Sequence, residues 1–162
     1  MADRFVIATI NDGMSYKRFL LLTESMANNG FFKRVVLASK NEVDVPEDVE
    51  IVEYSDDALV YLMKSVDLVV LPRVSERIKG DLERIVSAGM PVVVHVASHH
   101  GLVKHMESGH HYQSPEWAIY WINKYYSHWR VREDDRMLSP KKVSEKCEGC
   151  EEAKKALRRG RK

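Results

Sequence analysis

The sequence predicts an α/β fold in which helices cover both faces of a mostly parallel sheet. Three observations predict it: apolar runs alternate with segments of helical pattern, the connections are short, and the run between Asp67 and Pro72 is apolar on both faces. Alternating strands and helices with short connections produce parallel strands joined by right-handed crossovers. A run that is apolar on both faces is typical of a central parallel strand.

Five short apolar runs predict the strands. The first, FVIATI, lies almost at the N-terminus, and no basic segment precedes it, so we interpret it as a strand and not as a signal peptide. A loop that contains Pro46 separates the second run from the third. The predicted strands are residues 5–10, 34–38, 49–54, 67–72 and 91–96.

Apolar residues at helical spacing predict helices between and after these strands. Asn29 and Gly30 end the first helix, because glycine commonly follows a helix C-terminus. Ser55 or Asp56 can cap the second helix, and Gly109 closes the fourth. The predicted helices are residues 14–28, 55–64, 78–89, 99–108 and 115–129.

The composition is that of a soluble globular protein with one core. The chain has 162 residues, of which 44% are hydrophobic and 30% are charged, and this length accommodates one ordinary domain. No apolar run approaches the ~20 residues that a membrane-spanning helix needs. The core segment has no cysteine, so no disulfide framework is expected. The predicted location is the cytoplasm, with a peripheral position at a membrane as the alternative.

Residues 139–162 are predicted to form a basic helical or flexible tail that follows a domain of residues 1–138. From Lys141 onward there are nine Lys or Arg and four Asp or Glu residues, a balance of +5, whereas the rest of the chain has 16 and 20, a balance of −4. Basic tails attract phosphate-rich surfaces, so nucleic acid and an anionic membrane are alternative partners to a simply solvated tail. Cys147 and Cys150 form a lone Cys-x-x-Cys, which lacks the four ligands of a zinc site.

Two further features have alternative interpretations. Six of the seven histidines lie between His95 and His111, but no pair has the spacing and carboxylate of a zinc motif, so we predict no metal and assign them to loops and the surface. The aromatic residues of the last predicted helix follow one stripe, which favours core packing over a partner-binding surface. They are Trp117, Tyr120, Trp121, Tyr125 and Trp129.

The loop of residues 72–79 is the first candidate site, because it follows the fourth strand and precedes a helix. Ligands of open α/β sheets bind beyond the carboxyl ends of the strands, and a helix N-terminus attracts phosphate. Glu76 lies just before this helix, and its carboxylate can accept hydrogen bonds from sugar hydroxyls. The structural alternative is that Glu76 only complements the helix dipole.

Eight residues follow one another in a particular order and spacing: Asp67, Pro72, Glu76, Gly89, Pro91, Gly101, Glu107 and Gly109. This order and spacing resemble the C-terminal, nucleotide-sugar-binding domain of the family 4 retaining glycosyltransferases, and the resemblance covers about residues 5–130. These enzymes have two Rossmann-like domains, so the resemblance implies half of a two-domain glycosyltransferase architecture: a single Rossmann-like three-layer domain.

The resemblance implies roles for individual residues. Lys17 would contact the donor diphosphate, Glu76 would contact the donor sugar, and the backbone N–H groups of residues 77–80, from Arg77 to Gly80, would face sugar and phosphate. The family glutamate that holds the ribose falls on Arg84, and Glu83 stands one residue early.

Other positions depart from the family pattern. Arg77 and Lys79 replace glycines, His100 replaces one glycine of a pair whose other member is Gly101, and Asp12 stands where the family has arginine. The acceptor-binding domain of the family has no counterpart in the sequence.

The resemblance therefore predicts a glycosyltransferase-like protein that binds a nucleotide-diphospho-sugar and transfers the sugar, or helps a partner to transfer it. Such a reaction would retain anomeric configuration and need no metal and no cofactor besides the donor substrate. A separate acceptor-binding subunit or a homo-oligomer would complete the site. The alternative is a non-catalytic interaction module on the same fold, which docks nucleic acid, membrane or a protein through the basic tail. A flavodoxin-like regulatory domain is a third possibility, but only Asp12 supplies an acidic residue after the first strand.

Overall fold

The computed structural model describes residues 4–39, 41–131 and 138–144, and in them it contains one six-stranded sheet. All neighbouring strands are parallel, and their order is β3-β2-β1-β4-β5-β6. This confirms the predicted parallel α/β fold. The strands are β1 (Phe5–Ile10), β2 (Phe32–Leu37), β3 (Val49–Val52), β4 (Leu68–Leu71), β5 (Val92–His95) and β6 (His110–Tyr112).

Four of the five predicted helices form close to their predicted segments, and the first of these is interrupted. The Thr23 hydroxyl donates to the Phe19 carbonyl at 2.9 Å, and the first helix ends there and continues as one turn of 3₁₀ helix, Glu24–Met26. None of the described helices is both long enough and apolar enough to cross a membrane. The α-helices are α1 (Ser15–Leu22), α2 (Asp56–Ser65), α3 (Lys79–Ser87), α4 (Pro115–Arg130) and α5 (Pro140–Ser144).

Each face of the sheet buries its own hydrophobic cluster. Phe5 and Ile7 of β1 pack in the cluster that includes α1 and α4, whereas Ala8 and Ile10 pack in the cluster that includes α2 and α3. This alternation follows from the strand geometry, in which successive side chains point to opposite faces. Four of the five aromatic residues of the predicted stripe are buried in the first cluster, which confirms core packing for that stripe; they are Tyr120, Trp121, Tyr125 and Trp129.

The segment of residues 99–108 is not the predicted helix. It consists of turns, in which His100 and Met106 have φ angles of 53° and 70°, and left-handed residues like these cannot continue a right-handed helix. After an isolated bridge between His105 and Gly109, the chain forms β6, a sixth strand that the sequence did not predict. Three residues are too few to show a periodic pattern, and pairing with β5 defines this strand.

Part of the predicted tail packs on the domain. Pro140 and Val143 of α5 are buried, and the Ser144 hydroxyl lies 2.8 Å from His110 Nε2. Residues 140–144 of the predicted tail are therefore helical, and Val143 belongs to the same buried hydrophobic cluster as residues of α4. The rest of the basic tail, with Cys147 and Cys150, lies outside the described residues.

The N-terminus of α2 is capped as the sequence predicts. Ser55 has extended backbone, and its hydroxyl oxygen accepts a hydrogen bond from the Ala58 N–H at 3.0 Å. We expect Ser55→Ala to lower the free energy of unfolding by about 1 kcal/mol, because that N–H loses its acceptor. Urea denaturation measures the change. Ser65→Ala at the exposed end of the same helix is the control, and an equal loss from both variants would contradict the capping role.

Candidate functional site

The strand order creates a crevice at the carboxyl edge of the sheet. From β1 the chain crosses to β2 on one side, while β4 lies on the other side. The loops after β1 (residues 11–14) and after β4 (residues 72–78) therefore diverge, and ligands of such sheets bind where they do. We call this place the crevice.

Side-chain hydrogen bonds hold the loop after β1. The Asn11 side chain donates to the Gly13 carbonyl at 3.0 Å and accepts from the Tyr16 N–H at 3.0 Å. The Asp12 N–H donates to the Ser15 hydroxyl at 2.9 Å. Gly13 has a φ of +64°, a conformation that glycine adopts without strain. The loop therefore enters α1 in one defined conformation.

Two contacts join the loops across the crevice. The Asp12 carboxylate accepts from the Ser75 N–H at 2.5 Å, and the Arg77 guanidinium donates to the Asn11 carbonyl at 2.8 Å. The Arg73 guanidinium also lies at the mouth, since a Cβ on Gly13 would be only 3.7 Å from its Nη1. Arg73 was not among the sequence candidates. Its position directly after Pro72, at the carboxyl end of β4, was the signal that could have identified it.

Glu76 lies in the loop after β4, next to His100. The distance between Glu76 Oε1 and His100 Nδ1 is 4.0 Å, and the Glu76 side chain is 82% exposed. The other ring nitrogen of His100, Nε2, lies 2.5 Å from the Val74 carbonyl, so it is the protonated nitrogen that donates. The Glu76 carboxylate is therefore open to a ligand, and the segment after β5 borders it.

The remaining candidates with small or flexible side chains also lie at this edge. Lys17 is exposed in the first turn of α1, directly after the loop that follows β1. Gly80 is exposed in the first turn of α3, and no atom lies within 4 Å of where its Cβ would be. Gly101 is exposed with a φ of +72°, and its N–H donates to His99 Nδ1 at 3.0 Å. Lys17 and Glu76 thus follow adjacent strands and share one edge of the sheet.

Arg84 points toward α2. Its Nη1 lies 3.6 Å from Asp56 Oδ1, between exposed side chains, and Glu83 beside it is exposed. Tyr54, which follows β3, donates a hydrogen bond to the buried Asp81 carboxylate at 2.5 Å. Burial and the Asp81 carboxylate raise the pKa of Tyr54 to about 12. The structure therefore buries Asp81, which the sequence analysis did not single out, against Tyr54, whereas Glu83 is exposed.

The histidines cluster beyond β5 and β6, but they do not form a metal centre. Within residues 4–39, 41–131 and 138–144, no group of three or more His, Cys, Asp or Glu side chains has a geometry that could hold a metal ion. His99 stacks on His111 with ring centroids 4.1 Å apart, and His110 stacks on Trp121 at 3.9 Å. Burial lowers the pKa values of His99, His105 and His110, with smaller effects of neighbouring histidines.

Comparison with known proteins shows the fold. No family model matches the sequence, and no curated protein matches it either. Among solved structures, a crystal structure of HepE from Anabaena in complex with UDP and glucose is similar, with a TM-score of 0.57 and 18% identity over 80% of this chain. The aligned region is only 40% of the length of that HepE chain. The chain thus has a single Rossmann-like α/β domain that corresponds to part of a larger protein bound to UDP and glucose.

Proposed function

We propose that this chain binds a nucleoside-diphospho-sugar in the crevice and serves as the donor-binding half of a glycosyltransferase-type site. The observation that carries the proposal is the pair of guanidinium groups, Arg73 and Arg77, at the mouth between the loops after β1 and β4. Lys17 adds a third positive charge from the first turn of α1. A diphosphate is the ligand chemistry that such a group of charges favours.

Arg77 is well suited to engage a phosphate. Its guanidinium now donates to a neutral carbonyl, that of Asn11, and hydrogen bonds to a charged oxygen are roughly twice as strong as neutral ones. A diphosphate that enters the crevice would therefore draw Arg77 away from the loop after β1. The Asp12 carboxylate opposes this charge only in part, because the Ser75 N–H already occupies one of its oxygens.

The exposed carboxylate of Glu76 favours a sugar as the second part of the proposed ligand. This carboxylate can accept hydrogen bonds from two vicinal hydroxyls, and His100 lies on its other side at 4.0 Å. HepE, whose fold this chain shares in part, was crystallised with UDP and glucose, and that supports UDP-glucose as the first donor to test.

The proposed reaction breaks the bond between the anomeric carbon and the diphosphate oxygen, and that oxygen takes the electron pair. Negative charge then develops on the leaving diphosphate, where Lys17, Arg73 and Arg77 would stabilise it. The new bond forms from an acceptor hydroxyl, whose proton passes to the departing phosphate oxygen. The acceptor-binding residues would come from a partner subunit or a second copy of the chain.

Titration calorimetry with UDP, GDP, ADP and UDP-glucose tests this proposal. We expect saturable binding of at least one nucleoside diphosphate, weakened ~10-fold or more by Lys17→Ala and by Arg77→Ala, since a hydrogen bond to a charged group contributes about 1.5–3 kcal/mol. Glu76→Gln should weaken UDP-glucose and leave UDP unchanged.

The matched control is Lys33→Ala, which removes a positive charge that pairs with Glu50 at the other edge of the sheet, 2.8 Å away. This variant should bind as the unaltered chain does. If none of the nucleotides binds, or if the crevice variants and Lys33→Ala weaken binding equally, the crevice is not a donor site.

A further inference from the structure

A cavity lies at the other end of the carboxyl edge, beside the edge strand β6. It has a volume of about 340 Å³, within the range of about 300–1,000 Å³ that is usual for small-molecule sites. The strand β5 lies between β6 and β4, and β4 is the strand whose loop borders the crevice. We call it the β6 cleft, and its lining residues are Val96, His105, His111, Gln113, Trp117 and Trp121.

Hydrogen bonds determine the tautomers of the two histidines in the β6 cleft. The His111 N–H donates to His105 Nδ1 at 2.9 Å, so neutral His105 carries its proton on Nε2. His111 Nε2 lies 2.7 Å from the Val103 carbonyl and donates to it, which leaves His111 Nδ1 as an acceptor. Within the described part of the chain, His105 Nε2–H and His111 Nδ1 have no hydrogen-bond partner, so the pair offers one donor and one acceptor.

Among the described residues, no carboxylate, lysine or arginine lines the β6 cleft. Burial, followed by the nearby His111, lowers the pKa of His105, which keeps its ring neutral at neutral pH. Gln113 adds an exposed amide, with two donor hydrogens and an acceptor oxygen. The lining therefore suits a neutral ligand with hydroxyl groups, and it lacks the charges that would favour a phosphate or an ammonium group.

The angle between the aromatic side chains that line the β6 cleft favours a puckered ligand ring over a flat one. Trp121 and His105 meet edge to face at 83°, and one face of Trp121 is already covered by His110 at 3.9 Å. A flat heterocycle sandwiched between Trp121 and His105 would need these two rings to be parallel, and they are nearly perpendicular. A sugar ring has apolar C–H faces that pack on indole and hydroxyls at its rim that reach the imidazoles and the amide.

We propose that the β6 cleft is a binding site for a neutral carbohydrate ring. The ring packs against the partly exposed Trp117, with the buried Trp121 behind it in the cleft wall. His105 Nε2–H, His111 Nδ1 and the Gln113 amide exchange hydrogen bonds with its hydroxyls. This site is separate from the crevice and needs no nucleotide.

Saturation-transfer NMR with glucose, N-acetylglucosamine and cellobiose, without nucleotide, tests the site, and tryptophan fluorescence gives the affinity. We expect saturable binding that Trp117→Ala and Gln113→Ala each weaken by ~10-fold or more, as loss of a hydrogen bond or packing contact of this size does. Tyr61→Ala removes an exposed aromatic ring from α2 and is the matched control, expected to bind normally. Circular dichroism verifies that each variant is folded.

Three results would overturn the proposal: no saturable binding of any of these sugars, binding that Trp117→Ala and Gln113→Ala leave unchanged, or binding of uracil, adenine or choline in place of the sugars. Lys17→Ala separates this proposal from the preceding one. It should weaken nucleoside diphosphate binding ~10-fold or more and leave the sugar titration unchanged, so either site can fail while the other is retained.

Discussion

Gly109→Ala is expected to lower the free energy of unfolding by about 3 kcal/mol or more, at the upper end of the usual cost of overpacking a core. A Cβ at this position would lie 2.7 Å from both Cγ1 and the carbonyl oxygen of Val92, and 2.8 Å from Cγ1 of Val103. The two valine methyl groups can move slightly, but the carbonyl belongs to β5 in the interior of the sheet. The chain must therefore shift β6 away from β5 to admit one methyl group.

Gly80→Ala is the matched control for this prediction. Gly80 is exposed in the first turn of α3, with no atom within 4 Å of its Cβ position, so alanine should stabilise the helix by up to about 1 kcal/mol. Urea denaturation of both variants, with equal m-values, measures the difference. A Gly109→Ala protein as stable as the unaltered one would show that β6 does not pack as described.

Stability is expected to fall as the pH decreases from about 6.5 toward about 3, and His110 accounts for a large part of the loss. Its pKa is lowered from 6.5 to about 3 by burial, and then by His105, Lys124 and His111. Between these pH values the unfolded chain binds a proton that the folded chain does not, so acidification favours unfolding. The contribution is complete above pH 6.5 and approaches a loss on the order of 5 kcal/mol near pH 3.

The hydrogen bonds of His110 explain why the folded protein excludes that proton. The Ser144 hydroxyl donates to the Pro140 carbonyl at 2.7 Å, so it accepts from His110 Nε2–H at 2.8 Å. His110 Nδ1 then accepts from the Tyr125 hydroxyl, also at 2.8 Å. A second proton on the ring would turn this acceptor into a donor and leave the buried Tyr125 hydroxyl without an acceptor.

Two variants distinguish the effect of His110 protonation on stability from the effect of its hydrogen bond with Tyr125. His110→Gln removes the titrating group, so the free energy of unfolding should depend less steeply on pH between about 6.5 and 3. Tyr125→Phe removes only the hydroxyl and should lower stability by about 1 kcal/mol with the slope almost unchanged. Denaturation at a series of pH values measures both slopes. The assignment to His110 fails if His110→Gln retains the slope of the unaltered protein.

Local patterns allowed most of the regular structure to be predicted. The strand at residues 5–10 has its predicted bounds, and the cap at Ser55 forms as expected, because both depend on residues that are neighbours in sequence. Helical spacing likewise predicted α3 and α4 to within about two residues at each end. The roles of Lys17 and Glu76 in binding a donor stay predictions that the calorimetric experiment tests.

By itself, the sequence determined the parallel α/β class, the position of the crevice after the fourth predicted strand, and the helices around it, since periodicity and turn residues act over a few positions. Only the tertiary structure decided that β6 exists, that α5 packs on His110, and that Arg77 contacts Asn11 across the crevice. Each of these is a contact between residues that are distant in sequence or an element too short to have a pattern. These elements pack on surfaces that exist only once the sheet has folded, so no local sequence pattern predicts their positions.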